Sequence, residues 1–417
     1  MRIGIVNTFD LVGGAAKASL RLRNGLNAQG TNAKMLVRTK QSDDSTIVCS
    51  HGYLKGFKDA LINRVDNLPL ALYPNRTGPI FSVGLIHSNS LKKYFNSFDV
   101  FNVNWIAGAF QSINSISKIS KPIVLTLHDS WSYTGGCHIP FDCSKFKNDC
   151  GECPQLQSKK KKDLSYYLQQ KKKKLWTRED MIVVGGSNWI ANNAKQSAIF
   201  KNHRVEVIHP GLNLNVYKPL NKAFCRETLN IDLYSKVIVF GAVNSTSDFN
   251  KGFHLLLPAL KYLLAEDPNL QLLVFGASEP SEQLDILANV KYLGKINDEA
   301  LLAVLYASAD VVIVPSMQES FGQTASESMA CGTPVVAFDT SGLKDIIDHK
   351  INGFLAKPFD SEDLAKGISW VLSNPVRHVE LGKAAREKAV KAFDISISVQ
   401  KYTSLFEELH AKYNIHE

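Results

Sequence analysis

The chain has 417 residues, of which 45% are hydrophobic and 21% charged; this is long enough for two domains with full cores and typical of a soluble globular protein. Its formal charge of +9 comes without a recognised nucleic-acid module, which excludes a nucleic-acid partner. No apolar run approaches the ~18 residues of a transmembrane helix, and the start, residues 1–7, is typical of a strand rather than a signal peptide. We therefore expect a cytoplasmic protein.

The first half of the chain alternates between buried strands and helices. The predicted strands span 2–7, 98–104, 123–127, 181–185 and 205–208. A loop with Gly13 and Gly14 joins the first strand to a helix with apolar residues at helical spacing. Such alternation predicts an α/β domain with a parallel sheet.

His128 directly follows the strand over 123–127. It therefore lies at the carboxyl edge of the predicted sheet, where ligands of such sheets bind. A histidine there can hydrogen-bond a sugar hydroxyl or a developing oxyanion. A purely structural histidine is the alternative.

Four of the seven cysteines fall within a short insert after His128. They are Cys137, Cys143, Cys150 and Cys153, in the order C-x5-C-x6-C-x2-C. In a reduced compartment this grouping predicts a structural zinc site, which would pin a segment with little apolar content. Two disulfides, in an oxidising compartment, or four free thiols are the alternatives.

The insert continues into a lysine-rich segment that we predict to be helical over 158–176. It carries lysine runs at 159–162 and 171–174. Each lysine near an anionic leaflet contributes about 1 kcal/mol, so the helix predicts reversible, peripheral attachment to an anionic membrane surface. A solvated lysine face is the alternative.

Alternation restarts after a linker at 209–219, with strands at 236–241, 271–275 and 290–293. Lys251 precedes Gly252 at the start of a helix, where its ammonium can pair with a pyrophosphate; a solvated charge is the alternative. Gly276 and Lys295 follow strand ends and are predicted to border a nucleotide. No strand end carries Gly-x-Gly-x-x-Gly, which excludes a dinucleotide-binding oxidoreductase.

The most informative stretch lies between the strands at 311–314 and 335–338. Glu319 is predicted to lie in a loop, and Glu327, after seven intervening residues, in a helix that Gly322 opens. The N–H groups of Gly322, Gln323 and Thr324 at the helix start suit a diphosphate.

The two glutamates suit the remaining parts of a nucleotide-sugar. The two oxygens of Glu327 can accept from adjacent ribose hydroxyls, and Glu319 can meet the sugar on the other side of the phosphates. A surface helix with two solvated glutamates is the alternative.

This stretch resembles the Glu-x7-Glu signature of the family 4 retaining glycosyltransferases (glycosyl transferases group 1), which have the GT-B fold. Cys331-Gly-Thr-Pro-Val-Val-Ala337 and Asn352-Gly-Phe354 match the same family. The segment from His128 to Pro154 is similar to a subgroup associated with exopolysaccharide and O-antigen assembly. Asn104 stands where that subgroup has a histidine, and 244–250 lacks the arginine that the family has before its lysine.

The resemblance implies an α/β protein with two Rossmann-like domains facing each other across a cleft. Residues 1–213, with the insert 128–176, would bind the acceptor, and 214–394 the donor nucleotide. Residues 395–417 would form a helix that packs back on the first domain.

The implied activity is a retaining, metal-independent hexosyltransferase-type reaction. A sugar would move from a UDP- or GDP-type donor to a glycan or lipid-linked acceptor in bacterial surface polysaccharide synthesis, in the cytoplasm or at the inner face of the membrane. A noncatalytic GT-B-like protein that binds glycans or nucleotides is the alternative.

The resemblance also assigns roles to individual residues. Glu319 and His128 would be catalytic. The donor would be held by Gly13, Gly14, Lys251, Gly276, Lys295, Ser320, Phe321, Gly322, Gln323, Thr324 and Glu327.

Overall fold

The computed structural model describes residues 1–49, 56–78, 80–87, 91–241, 244–276 and 290–416. Its backbone divides into two units. Unit 1 comprises Met1–Gly211 and Ser396–Glu417, and unit 2 comprises Leu212–Ile395. The chain thus returns to unit 1 for its last helix.

The described part of unit 1 contains a parallel sheet of seven strands in the order β3-β2-β1-β4-β5-β6-β7. The strands are β1 Arg2–Phe9, β2 Asn32–Thr39, β3 Ile47–Cys49, β4 Val100–Val103, β5 Ile123–Leu127, β6 Met181–Gly185 and β7 Val205–Val207. β4, β5 and β6 are buried along their whole length, as expected for central strands covered on both faces.

Helices cover this sheet. They are α1 Gly14–Ala28, α2 Gly56–Asp66, α3 Ile113–Ser117, α4 Leu164–Leu175 and α5 Asn188–Gln196, together with α12 Ile395–His416 at the end of the chain. The Tyr402 hydroxyl of α12 lies 2.9 Å from the Thr126 hydroxyl of β5, and Phe406 is fully buried. The last helix is therefore part of the core of unit 1.

The described part of unit 2 contains a second parallel sheet, with six strands in the order β10-β9-β8-β11-β12-β13. The strands are β8 Val237–Gly241, β9 Gln271–Phe275, β10 Val290–Tyr292, β11 Val311–Val314, β12 Val335–Phe338 and β13 Gly353–Ala356. The helices are α6 Lys222–Thr228, α7 Phe253–Glu266, α8 Glu299–Ser308, α9 Gln323–Ala330, α10 Ser361–Leu372 and α11 Pro375–Phe393.

The order of the strands explains where ligands can bind. In each sheet the chain moves outward on one side and then crosses to the other, beside β1 and β4 in unit 1 and beside β8 and β11 in unit 2. Such a reversal opens a crevice at the carboxyl ends of the strands. The prediction of two Rossmann-like parallel α/β units is confirmed.

The lysine-rich helix differs from its prediction in two ways. It begins at Leu164, after Asp163 accepts a hydrogen bond from the Tyr166 N–H as the helix cap, so lysines 159–162 precede it. Lys172 is fully buried: its Nζ donates to the carbonyls of Trp131 and Thr134. Burial lowers the pKa of Lys172 to about 7. The two lysine runs therefore do not share one helical face.

A search of the described residues for a helix that could cross a membrane finds none of sufficient length and apolarity.

The buried position of Phe406 predicts that α12 stabilises unit 1. Phe406→Ala should lower the free energy of unfolding by about 3–5 kcal/mol, through lost apolar burial and the cavity left behind. Equilibrium unfolding in urea would measure the change, and hydrogen exchange would assign it to the strands of unit 1. Ile415→Ala, on the same helix but 79% exposed, should change stability by less than about 0.5 kcal/mol. Equal effects of the two changes would contradict the role of α12.

Candidate functional site

The glutamate predicted to be catalytic forms an ion pair in unit 2. Nζ of Lys251 lies 2.7 Å from Oε1 of Glu319, and the side chains are 22% and 17% exposed. Burial by itself would lower the pKa of Lys251, but the carboxylates of Glu319 and Asp248 outweigh it, and the pKa is raised. Lys251 is therefore an ammonium at neutral pH, the state that can bind an anion.

Asn250, which the sequence analysis did not single out, joins the two loops that carry this pair. Its Nδ2 donates to the Gln318 carbonyl at 2.8 Å, and its Oδ1 accepts from the Gln318 N–H at 3.1 Å. Asn250 is 3% exposed, so these bonds form away from water. Since Lys251 and Glu319 each follow one of the joined residues directly, the two bonds fix how far apart they lie.

Gly322 stands at the N-terminus of α9, as predicted. Its φ of 113° lies in the region that favours glycine, and an added Cβ would come within 2.7 Å of Leu343. The N–H groups of Ala325 and Ser326 donate back to the Gly322 carbonyl, which starts the helical hydrogen bonding. The helix dipole places partial positive charge at this end. A helix end of this kind suits an anion.

Glu327 lies in the middle of α9 and is 4% exposed. Its Oε2 accepts a hydrogen bond of 3.0 Å from the hydroxyl of Tyr306, a residue that the sequence analysis did not identify. Burial, reinforced by the Glu327 charge, raises the pKa of Tyr306 well above its ordinary value. Tyr306 is thus a permanent donor that orients the Glu327 carboxylate.

The remaining predicted residues of unit 2 follow strand ends of the same sheet. Gly276 comes after β9 with a φ of 83° and donates its N–H to the Gly294 carbonyl at 2.7 Å. Lys295 is exposed beyond β10, and Ser320 is half-buried. Phe321 is 3% exposed, and its ring packs in the core against Phe393.

In unit 1, the predicted glycine loop lies between β1 and α1. Gly13 has a φ of 87°, and no atom lies within 4 Å of the position that its Cβ would occupy. Gly13 is the cap of α1, and Gly14 is its first residue. This loop borders open space rather than being filled by neighbouring side chains.

His128 lies at the carboxyl end of β5 and lines a small pocket of unit 1. The pocket measures about 10 Å³ and is lined by Asn104, Trp105, Ile106, Ala107, Thr126, His128, Asp129, Trp131, Ser132 and His138. Burial lowers the pKa of His128 to about 4, although the charge of Asp129 opposes the shift. The imidazole is therefore neutral at pH 7.

Asp129 is the centre of a second polar group in this pocket. Its Oδ2 accepts from Trp105 Nε1 at 2.7 Å and from His138 Nδ1 at 2.6 Å, and its Oδ1 accepts from the Trp131 N–H at 2.8 Å. Burial by itself would raise the pKa of Asp129, but His138 and the other donors outweigh it, and the pKa is lowered. The sequence analysis did not assign Asp129 a role, although it directly follows His128.

The four cysteines of the zinc prediction lie near one another in unit 1, close enough for their charges to interact. Cys137, Cys143, Cys150 and Cys153 are free thiols, and the described residues include no group of three or more His, Cys, Asp or Glu side chains that could hold a metal ion. Burial raises the pKa of Cys137, of Cys150 to about 12, and of Cys153. Cys150 and Cys153 belong to the hydrophobic core of unit 1, and Cys137 packs against it. None of the four forms a disulfide, and the zinc site stays a prediction.

The depressed pKa of His128 predicts a pH dependence of stability. Between about pH 6.5, the ordinary pKa of histidine, and about pH 4, the unfolded state binds a proton that the folded state does not. The free energy of unfolding should therefore fall as the pH decreases through this window. His128→Asn should flatten this part of the curve, measured by urea unfolding at several pH values. The same slope in both proteins would contradict a neutral, buried His128.

Comparisons with known proteins show which family this chain is similar to. Residues 226–388 match the family described as Glycosyl transferases group 1. The D-inositol 3-phosphate glycosyltransferase of Thermobispora bispora is 32% identical over 227 residues, which cover 50% of this chain and 52% of the relative. The chain spans about half the length of the first curated relatives it matches.

Two solved structures share the fold over nearly the whole chain. Sucrose-phosphate synthase from Thermosynechococcus elongatus has a TM-score of 0.72 at 20% identity, covering 99% of this chain and 100% of that one. HepE from Anabaena, in complex with UDP and glucose, has a TM-score of 0.67 at 19% identity, covering 98% and 99%. Residues 226–388 thus form a Glycosyl transferases group 1 domain, and the two parallel Rossmann-like sheets match the GT-B fold.

Proposed function

We propose that the protein is a retaining glycosyltransferase that moves a sugar from a nucleotide-diphosphate donor to a glycan or lipid-linked acceptor. The observation that carries this proposal is the Lys251–Glu319 pair, held by Asn250 in the same sheet-edge region of unit 2 as the N-terminus of α9. The cation and the helix N-terminus suit the diphosphate of such a donor, and the anion suits its sugar.

Lys251 and the N-terminus of α9 would bind the diphosphate. The raised pKa keeps Lys251 charged, and the N-terminus of α9 carries partial positive charge from the helix dipole. As the bond to the sugar breaks, negative charge grows on the leaving diphosphate, and fixed donors of this kind stabilise it most at that moment. These groups meet the leaving-group charge without the arginine that the family has before its lysine.

Glu319 would face the sugar. In the unliganded protein its carboxylate neutralises Lys251; with donor bound, the diphosphate takes over that role. The carboxylate can then hydrogen-bond sugar hydroxyls and support positive charge that develops on the ring. Glu327, oriented by Tyr306, would accept from the ribose hydroxyls.

UDP-glucose is the first donor to test, because HepE, which shares the fold, is solved with UDP and glucose. The acceptor proposal, a glycan or lipid-linked sugar of a bacterial surface polysaccharide, draws support from the resemblance of the segment after His128. A noncatalytic binding protein would show neither transfer nor slow hydrolysis of the donor.

The role of Glu319 predicts a separation of turnover from affinity. Glu319→Gln should lower turnover by roughly 10²-fold or more, the usual effect of removing one transition-state electrostatic contact. Affinity for UDP should stay the same or increase, because the carboxylate no longer competes for Lys251. Donor consumption and calorimetry measure the two quantities.

Glu362→Gln is the matched control, since its side chain is 63% exposed and lies on α10, and it should have wild-type values. Wild-type turnover in Glu319→Gln would refute the catalytic assignment.

The role of Lys251 predicts a dependence on ligand charge. Lys251→Ala should weaken UDP binding by about 1.5–3 kcal/mol, the usual strength of a hydrogen bond between charged groups, and should leave uridine binding nearly unchanged. Calorimetry with both ligands tests this, with Lys261→Ala, an exposed lysine on α7, as the control. Equal losses for the two ligands would place Lys251 away from the phosphates.

A further inference from the structure

A continuous chain of buried hydrogen bonds leads from α12 to His128. The Tyr402 hydroxyl lies 2.9 Å from Thr126 Oγ1, which accepts from Asn102 Nδ2 at 2.9 Å. Asn102 Oδ1 accepts from Asn104 Nδ2 at 2.8 Å, and Asn104 Oδ1 lies 2.8 Å from His128 Nε2. Asn102 and Asn104 are 0% and 5% exposed, so water does not compete with the chain.

Backbone carbonyls fix the direction of every amide in this chain. Asn102 Nδ2 also donates to the Val124 carbonyl at 3.1 Å, and Asn104 Nδ2 also donates to the Asn102 carbonyl at 3.2 Å. A carbonyl oxygen can only accept, so neither amide can be turned over without setting two oxygens against each other. The oxygen of Asn104 must therefore be the atom that faces His128.

The direction of Asn104 determines the state of His128. Because Asn104 Oδ1 is an acceptor, Nε2 of His128 has to carry the proton and donate. Burial keeps the ring neutral at pH 7, and a neutral imidazole has one protonated nitrogen. Nδ1 is therefore unprotonated. Among the described residues, Asn104 is the one hydrogen-bond partner of the His128 ring, which leaves the lone pair of Nδ1 available.

We propose that Asn104 is a positioning residue that holds His128 in its Nε2-protonated tautomer, so that Nδ1 accepts a hydrogen bond from a hydroxyl group of the sugar substrate. This distinguishes between the two roles considered for His128, since an unprotonated Nδ1 repels an oxyanion and attracts a hydroxyl. The assignment of a sugar hydroxyl as the partner of Nδ1 rests on the proposed function. The tautomer of His128 does not depend on it.

The surroundings of His128 fit a sugar hydroxyl. The pocket it lines also contains two indole rings, Trp105 and Trp131, together with the carboxylate of Asp129. An apolar wall with a few oriented polar groups is the usual construction of a specific small-molecule site. The Asp129 oxygens already accept three hydrogen bonds, whereas Nδ1 of His128 is an acceptor that a ligand hydroxyl can use.

Nitrogen NMR of ¹⁵N-labelled protein at pH 7 tests the tautomer without any substrate. The His128 signals, assigned by their loss in His128→Asn, should show a protonated Nε2 and an unprotonated Nδ1. In Asn104→Ala the Nε2 proton loses its acceptor, and a population with protonated Nδ1 should appear. Asn104→Leu, which keeps more of the side-chain volume, gives the same test should the alanine variant not fold.

Kinetics then test the hydroxyl. With UDP-glucose, Asn104→Ala should lower kcat/KM by roughly tenfold, as for one lost hydrogen bond, with UDP affinity unchanged. With a deoxy analogue of the sugar substrate that lacks the contacted hydroxyl, the variant and the wild type should be equal. Asn114→Leu, a half-buried asparagine on α3, is the matched control.

Two results would overturn the proposal. One is a wild-type spectrum with the proton on Nδ1, and the other is an unchanged tautomer in both Asn104 variants. If no donor is turned over, the proposed function fails, while the spectrum still decides the role of Asn104.

Discussion

The ion pair between Lys251 and Glu319 is the interaction on which the proposed chemistry depends. It satisfies two charges that are largely withdrawn from water and would each be costly to leave alone. In doing so it keeps both groups ionised and in place before any ligand arrives. A diphosphate can then replace the carboxylate beside the ammonium, so that the charges are exchanged rather than created on binding. This reduces the cost of preparing the site.

Side-chain amides position the functional groups in both units. Asn250 uses its donor and its acceptor on one residue, Gln318, and so joins two loops. Asn104 donates from its Nδ2 to Asn102 and presents its Oδ1 to His128, which orients the His128 ring. An amide suits this task because it offers both functions without a charge, and burial makes an unpaired alternative costly. Lys251 is thus adjacent to a buried asparagine, Glu319 follows the residue that this asparagine binds, and His128 is bonded to another buried asparagine.

The sequence predicted some elements to the residue and missed others. The strands at 123–127, 181–185, 271–275, 311–314 and 335–338 have the bounds found in the structure, because central strands read as continuous apolar runs. β2 was missed since exposed residues interrupt its burial pattern.

In the candidate site, the sequence identified Glu319, Lys251 and His128, but not that Lys251 pairs with Glu319 or that His128 is bonded to Asn104. These are tertiary contacts between residues 68 and 24 positions apart.

The division of the chain has a consequence for its synthesis. Unit 2 is continuous, whereas unit 1 combines Met1–Gly211 with Ser396–Glu417. On the ribosome, domains generally fold as units and in order from the N-terminus. Here the N-terminal unit lacks Phe406 and the Tyr402 hydroxyl until the last helix emerges, so unit 2 has all its residues before unit 1 does. A nascent chain must therefore keep a first sheet that still lacks α12 from aggregating while residues 212–395 are made.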